Sequence, residues 1–193
     1  MSDASAMFDI INQHIVDGKA LHIHKAVIPP SWEIVVNHLQ ACADGEYHGG
    51  PYGALGYQLN QAEEIPEVKQ AIDYFNANLS LKIFDAHIFT SFTKSSVTKK
   101  HIDNHNVIIW SVSGNMIVHL YDDYESDPFY SVEFDKGDIM YIPADVIHRV
   151  EPTGARALVS FGVEVAPGVM YNSTPDNPYK KVIHDQETQP QAN

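Results

Sequence analysis

From Leu81 onward the apolar pattern of this chain changes period from that of a helix to that of a strand, in the short segments LKIFDAHIFTSF, NVIIWSV, MIVHLY, YSVEF, DIMYIP and RALVSFGVEV. Turn signals separate them, among them Ser113-Gly114-Asn115 and Asp135-Lys136-Gly137, and Pro143 stops one strand before His148 begins the next. Strands this short and closely spaced bury their apolar faces only against one another, which points to a sandwich or a barrel.

The residues before Leu81 read differently. Phe8, Ile11 and Ile15 recur at helical spacing, Ser31 is placed to cap a helix through Ile34, Val35, His38 and Leu39, and Pro66 opens a third with the stripe Val68, Ala71, Ile72, Phe75 and Leu79. Between the second and third helices YHGGPYGALGYQ, Tyr47 to Gln58, carries four glycines and three tyrosines and reads as an irregular loop able to cover a ligand, with Tyr52 a candidate substrate contact. The organisation expected is one domain over residues 1–171, helical over about 1–80 and a barrel over about 81–171, then a polar tail over 172–193. Trp32, Val68 and Phe75 are expected to be buried where the helices meet the barrel.

A formal charge of -13 argues against binding bulk nucleic acid or an anionic membrane, both of which require clustered Lys and Arg. The solitary Cys42, with no apolar signal core and no run of about 20 apolar residues, suggests a cytoplasmic protein that does not enter a membrane.

The residues that break the apolar pattern lie in TKKHIDNHNVIIW, where His101, Asp103 and His105 alternate just before a buried strand. If the strand extends through them, all three face its interior side. Residues four apart on a strand are roughly 13 Å apart, so His101 and His105 do not share one ion. Spacing alone leaves open whether Asp103 pairs with His101 or with His105. Two imidazoles and a carboxylate on three corners of an octahedral iron leave the opposite face open, and the third ligand must come from elsewhere in the sheet.

His101-x-Asp103 with Gly114 in SVSGNMIVHLYDD resembles the first motif of the cupin superfamily, and Gly137-Asp-Ile-Met-Tyr-Ile-Pro143 followed by His148 is similar to the second, with Asp145 where glycine is common. The branch resembled is that of the iron(II)/2-oxoglutarate oxygenases, including the Jumonji-C-like hydroxylases. The resemblance covers about Leu81 to Val165. It implies a double-stranded β-helix of about eight strands, with the N-terminal helices on one outer face. It also implies His101, Asp103 and His148 as catalytic iron(II) ligands, leaving His105 as a neighbour placed to contact substrate. Jumonji-like relatives often hold the far carboxylate of 2-oxoglutarate with a lysine just after the turn glycine, where this chain has Met116. Another branch uses an arginine after the last histidine, and HRVEPTGARALVSF supplies Arg156. Thr98 matches a threonine that contacts the cosubstrate.

The activity implied is a dioxygenase that hydroxylates a small-molecule or peptide substrate with dioxygen and converts 2-oxoglutarate to succinate. Two other readings stand beside it: a metal-dependent cupin lyase or isomerase that does not use 2-oxoglutarate, and a non-catalytic ligand-binding barrel. A homodimer is compatible with the sequence.

Overall fold

A computed structural model describes residues 3–51, 56–94 and 99–172. Helix α1 (Asp3–Asp17) and strand β1 (Leu21–Ile23) are followed by α2 (Trp32–Ala43), β2 (Gly49–Pro51), β3 (Gly56–Leu59) and α3 (Pro66–Asn78). The strands β4 (Ile83–Ser91), β5 (Asn106–Ser113), β6 (Met116–Tyr121), β7 (Tyr130–Phe134), β8 (Ile139–Ile142), β9 (Ile147–Pro152) and β10 (Arg156–Val163) complete the described chain. The larger sheet has the order β1-β8-β5-β10-β4-β3-β2 and the smaller β7-β6-β9, every pair antiparallel. This is the double-stranded β-helix that the two motifs implied. No described helix is long and apolar enough to cross a membrane.

The larger sheet is covered on both faces, which explains why β5 reads as a nearly unbroken apolar run. Its outward residues Ile108, Trp110 and Val112 meet Phe8, Ile11, Val35, Val68 and Phe75 from the helices. The inward residues Val107 and Ile109 meet Met116, Val118, Phe134 and Leu158 between the sheets. Ser31 caps α2 by accepting from the Ile34 N–H at 3.4 Å, and Pro66 stands in the first turn of α3, where its missing N–H costs nothing.

Two turns require particular residues. Gly114 has φ 73°, and a Cβ there would run into the Ala155 carbonyl and Arg156 Cα, so the β5–β6 turn packs directly against the start of β10. Asp145 has φ 65°, the left-handed conformation that accounts for the frequency of glycine at this point of the motif. Asp138, which follows the turn glycine Gly137, is fully buried and accepts four hydrogen bonds. They come from the Lys25 N–H at 2.8 Å, the Asp135 N–H at 3.0 Å, His22 Nε2 at 3.0 Å and His24 Nδ1 at 2.9 Å. Burial pushes this carboxyl up, but the four donors together hold it below its ordinary value. Strand β1 is thereby fastened to the barrel.

The structure corrects several expectations. The stretch over residues 1–80 is not wholly helical: β1, β2 and β3 lie within it, β2 inside the Tyr47–Gln58 segment expected to be irregular and β3 overlapping its end. These segments are too short for a periodic signal; β1 pairs with the edge of β8 and β3 with that of β4, and β2 adds to β3. They bring the described strands to ten, seven of which, β4 to β10, come after Leu81. Trp32 is not buried but 37% exposed, packing edge-on against Phe92, whereas Val68 and Phe75 are fully buried. Asn172, expected to begin a loose tail, is tied down by its N–H to the Asn104 carbonyl at 2.8 Å and by Nδ2 to Asp145 Oδ2 at 2.9 Å.

Candidate functional site

The strand expected through His101, Asp103 and His105 is not continuous. Regular pairing in β5 begins at Asn106, and His101 instead forms an isolated antiparallel bridge with His148 of β9, along the free edge of the smaller sheet. The two residues exchange both backbone hydrogen bonds, His101 N–H to His148 O at 3.1 Å and His148 N–H to His101 O at 2.9 Å. Directly opposed residues project their side chains to the same face, so the two rings lie side by side with centroids 4.3 Å apart. Next to the pair, the Asp145 N–H donates to the Asp103 carbonyl at 2.9 Å, and the left-handed turn at Asp145 lets the chain keep that contact as it enters β9.

Asp103 Oδ2 then lies 3.4 Å from His148 Nε2, and one ligand atom from each of His101, Asp103 and His148 falls within 4.8 Å of the other two. Each imidazole has its tautomer set by the backbone. His148 Nδ1 donates to the Val146 carbonyl at 3.0 Å and His101 Nδ1 to that of Lys99 at 2.8 Å, leaving both Nε2 lone pairs available. Burial, with the neighbouring His101, pushes the His148 imidazole down toward its neutral form against the pull of Asp103. A neutral, oriented imidazole is what a metal ligand requires. The donor set therefore fits a divalent transition metal with open positions.

These three side chains border a cavity of about 270 Å³ between the sheets. Val107, Ile109, Val150 and Leu158 form its apolar wall. Arg156, at the start of β10, also lines it and is 1% exposed, its Nη1 donating to the Phe89 carbonyl at 3.3 Å. It is thus not the surface residue that arginines usually are. Met116 is buried in the apolar packing between the sheets.

His105 lines the same cavity as the three, with Nδ1 donating to the Asn106 carbonyl at 3.0 Å and its ring against Phe84 and Tyr171. Thr98 and Tyr52 lie outside the described residues. Gln58, His87 and Ser160, which sequence reasoning did not single out, also reach the cavity. The signal for His87 was its alternation with Asp85 and Phe89 along β4, but a strand with both faces covered does not disclose which set points inward.

No family model and no curated protein matches the sequence. Among solved structures, the chain is similar to the ribosomal oxygenase YcfD of Escherichia coli in complex with cobalt and 2-oxoglutarate, at 17% identity and a TM-score of 0.62 over 90% of this chain and 60% of that one. A second YcfD structure gives 15% identity and a TM-score of 0.64 over 93% and 63%, and a third, with cobalt and succinic acid, 17% and 0.59 over 89% and 59%. The chain thus spans about three fifths of the length of these proteins.

Proposed function

Taking as premise that this chain has the fold of an oxygenase solved with a divalent metal and 2-oxoglutarate, we propose that it is an iron(II)- and 2-oxoglutarate-dependent dioxygenase. The observation that carries the proposal is the convergence of His101, Asp103 and His148 on one side of a cavity that also holds the buried Arg156. In this reading the two Nε2 atoms and a carboxylate oxygen hold the metal. When bound, iron and 2-oxoglutarate together supply the oxidation of a substrate C–H bond by dioxygen, coupled to release of succinate and carbon dioxide.

The residues contribute position and field. Val146 and Lys99 carbonyls keep the two rings oriented, so the ligand atoms do not have to be ordered when the metal arrives. Arg156 offers a charge-assisted hydrogen bond to the far carboxylate of 2-oxoglutarate, taking the part for which Met116 has no charge. Its burial strengthens that bond, because little water competes inside the barrel. The apolar wall excludes water from the reacting centre. His105 contacts substrate or cosubstrate through Nε2.

Anaerobic addition of iron(II) and 2-oxoglutarate to the protein should produce a weak visible charge-transfer band, absent from His101→Ala. Without such a band in the unaltered protein the proposal fails. The buried methionine at position 116 favours, as a second reading, a metal-dependent lyase or isomerase that does not use 2-oxoglutarate. Stabilisation by N-oxalylglycine and formation of succinate separate the two.

A further inference from the structure

Asp145 stands where the second motif commonly has glycine, and it carries two penalties that glycine would not. Its φ of 65° is a left-handed conformation that costs an L side chain about 1 kcal/mol, and the residue is only 7% exposed, which takes a carboxylate largely out of water. A strained, buried acid beside a candidate metal centre calls for a reason in what it holds. Among the described residues its side chain has one hydrogen-bond donor, Nδ2 of Asn172 at 2.9 Å.

Asn172 reaches that place because the chain doubles back after β10. Gly168, with φ 76°, turns it within a bridge between Ala166 and Val169, and the Tyr171 ring then packs edge-on against Phe84, centroids 5.3 Å apart, and beside His105 at 5.8 Å. From there the Asn172 N–H donates to the Asn104 carbonyl at 2.8 Å. These bonds close a ring around Asp103. The Asp145 N–H donates to the Asp103 carbonyl at 2.9 Å, the Asp145 side chain accepts from Asn172, and Asn172 donates to the residue that follows Asp103. On the other side of the turn, Oδ1 of the buried Asn106 accepts the Ala144 N–H at 2.9 Å.

Asp103 needs such support more than the two histidines do. His101 and His148 are fixed by their mutual bridge and by ring hydrogen bonds to the Lys99 and Val146 carbonyls, whereas Asp103 lies outside any strand. Its carboxylate contacts His148 Nε2 at 3.4 Å, an atom that a metal would take, and no other group among the described residues bonds it. The backbone is what places it, and a carboxylate left loose would have to lose conformational freedom when an ion binds.

We propose that Asp145 and Asn172 are positioning residues for the metal ligand Asp103: their hydrogen bond clamps residues 103–104 against the turn that leads into β9, so that the carboxylate is held toward the two imidazoles before the ion arrives. The inference rests on the metal centre of the oxygenase reading and extends it to a side chain that lies beyond the barrel strands.

The test uses the full chain and cobalt(II) alone. Affinity and visible bands are followed in titrations, and the melting temperature of the metal-free protein is measured beside them. Asn172→Ala should bind cobalt(II) about tenfold more weakly or worse, the loss typical when a group that orients a ligand is removed, and at saturation its bands should move toward those of Asp103→Ala. Asp145→Gly separates positioning from folding. Glycine relieves the left-handed conformation, so the metal-free protein should melt within about a few degrees of the unaltered one while cobalt(II) affinity falls as in Asn172→Ala. Asp145→Asn keeps an oxygen that accepts from Asn172 and tolerates the same backbone, so it should retain most of the affinity. Combining Asp145→Gly with Asn172→Ala should lose no more than either change alone, because both remove the same bond. Unchanged affinity or unchanged bands in Asn172→Ala and Asp145→Gly, a metal-free Asp145→Gly that melts far lower, a loss in Asp145→Asn as large as in Asp145→Gly, or additive losses in the combined variant overturn the assignment and leave the metal centre standing. Absence of cobalt(II) binding to the unaltered protein overturns the oxygenase reading and this one together.

Discussion

His101 and His148 face each other as a single hydrogen-bonded antiparallel pair on the edge of the smaller sheet, and this one rung of ladder builds the candidate metal centre. It puts two imidazoles on one face without a continuous strand through the first of them. It also explains why Asp103, two residues on, reaches 3.4 Å from His148 Nε2 rather than pointing along the sheet edge.

If those side chains bind one ion, cobalt(II) or iron(II) at about 100 times its dissociation constant should stabilise the protein by ~2.7 kcal/mol. For a chain of this size that corresponds to a rise of about 5–10 °C in melting temperature. His148→Ala and Asp103→Ala should each show no such rise when scanned with and without metal, and a chelator should reverse it in the unaltered protein.

Arg156→Met keeps much of the buried volume and removes the charge. Loss of a hydrogen bond to a charged partner costs about 1.5–3 kcal/mol. The KM for 2-oxoglutarate, followed by succinate formation, should therefore rise between about tenfold and a hundredfold or more. Metal-induced stabilisation should be retained, because Arg156 is not among the three converging ligands.

Gly114→Ala tests the turn that seats the start of β10. The added Cβ meets backbone atoms of Ala155 and Arg156 that have no freedom to yield, at a φ of 73° that already disfavours an L side chain. Urea denaturation should show a loss of about 2 kcal/mol or more, with N-oxalylglycine affinity reduced as Arg156 is displaced.

Asp138→Asn should remove a pH-dependent part of the stability, with a defined direction. The native carboxyl is held below its ordinary value, so the folded protein binds this proton less readily than the unfolded chain. Its contribution is complete above about pH 4, the ordinary carboxylate range, and disappears as the pH falls through the depressed native value. Melting curves should thus show the unaltered protein more stable than Asp138→Asn at pH 6–7, with the difference shrinking below about pH 4.

Much of this molecule is legible along the chain because the relevant information is local. The alternation of β4 to β10, the turn glycines Gly114 and Gly137, the cap Ser31 and the first-turn Pro66 each express a conformational preference of a few neighbouring residues. His101, Asp103 and His105 stood out as polar residues against an apolar background, but their spacing left the pairing open, and the set with His148 came only from the resemblance of the two motifs. What lay beyond that reach was decided by long-range contact. Strands β1 to β3 form because a partner edge is present, Trp32 stays exposed because Phe92 is what it meets, and the break in the strand at 101–105 follows from pairing with β9. Arg156 and His87 are ordinary residues of ordinary strands until two sheets close over them, and which face of a doubly covered strand points into the cavity depends on the packing of the whole.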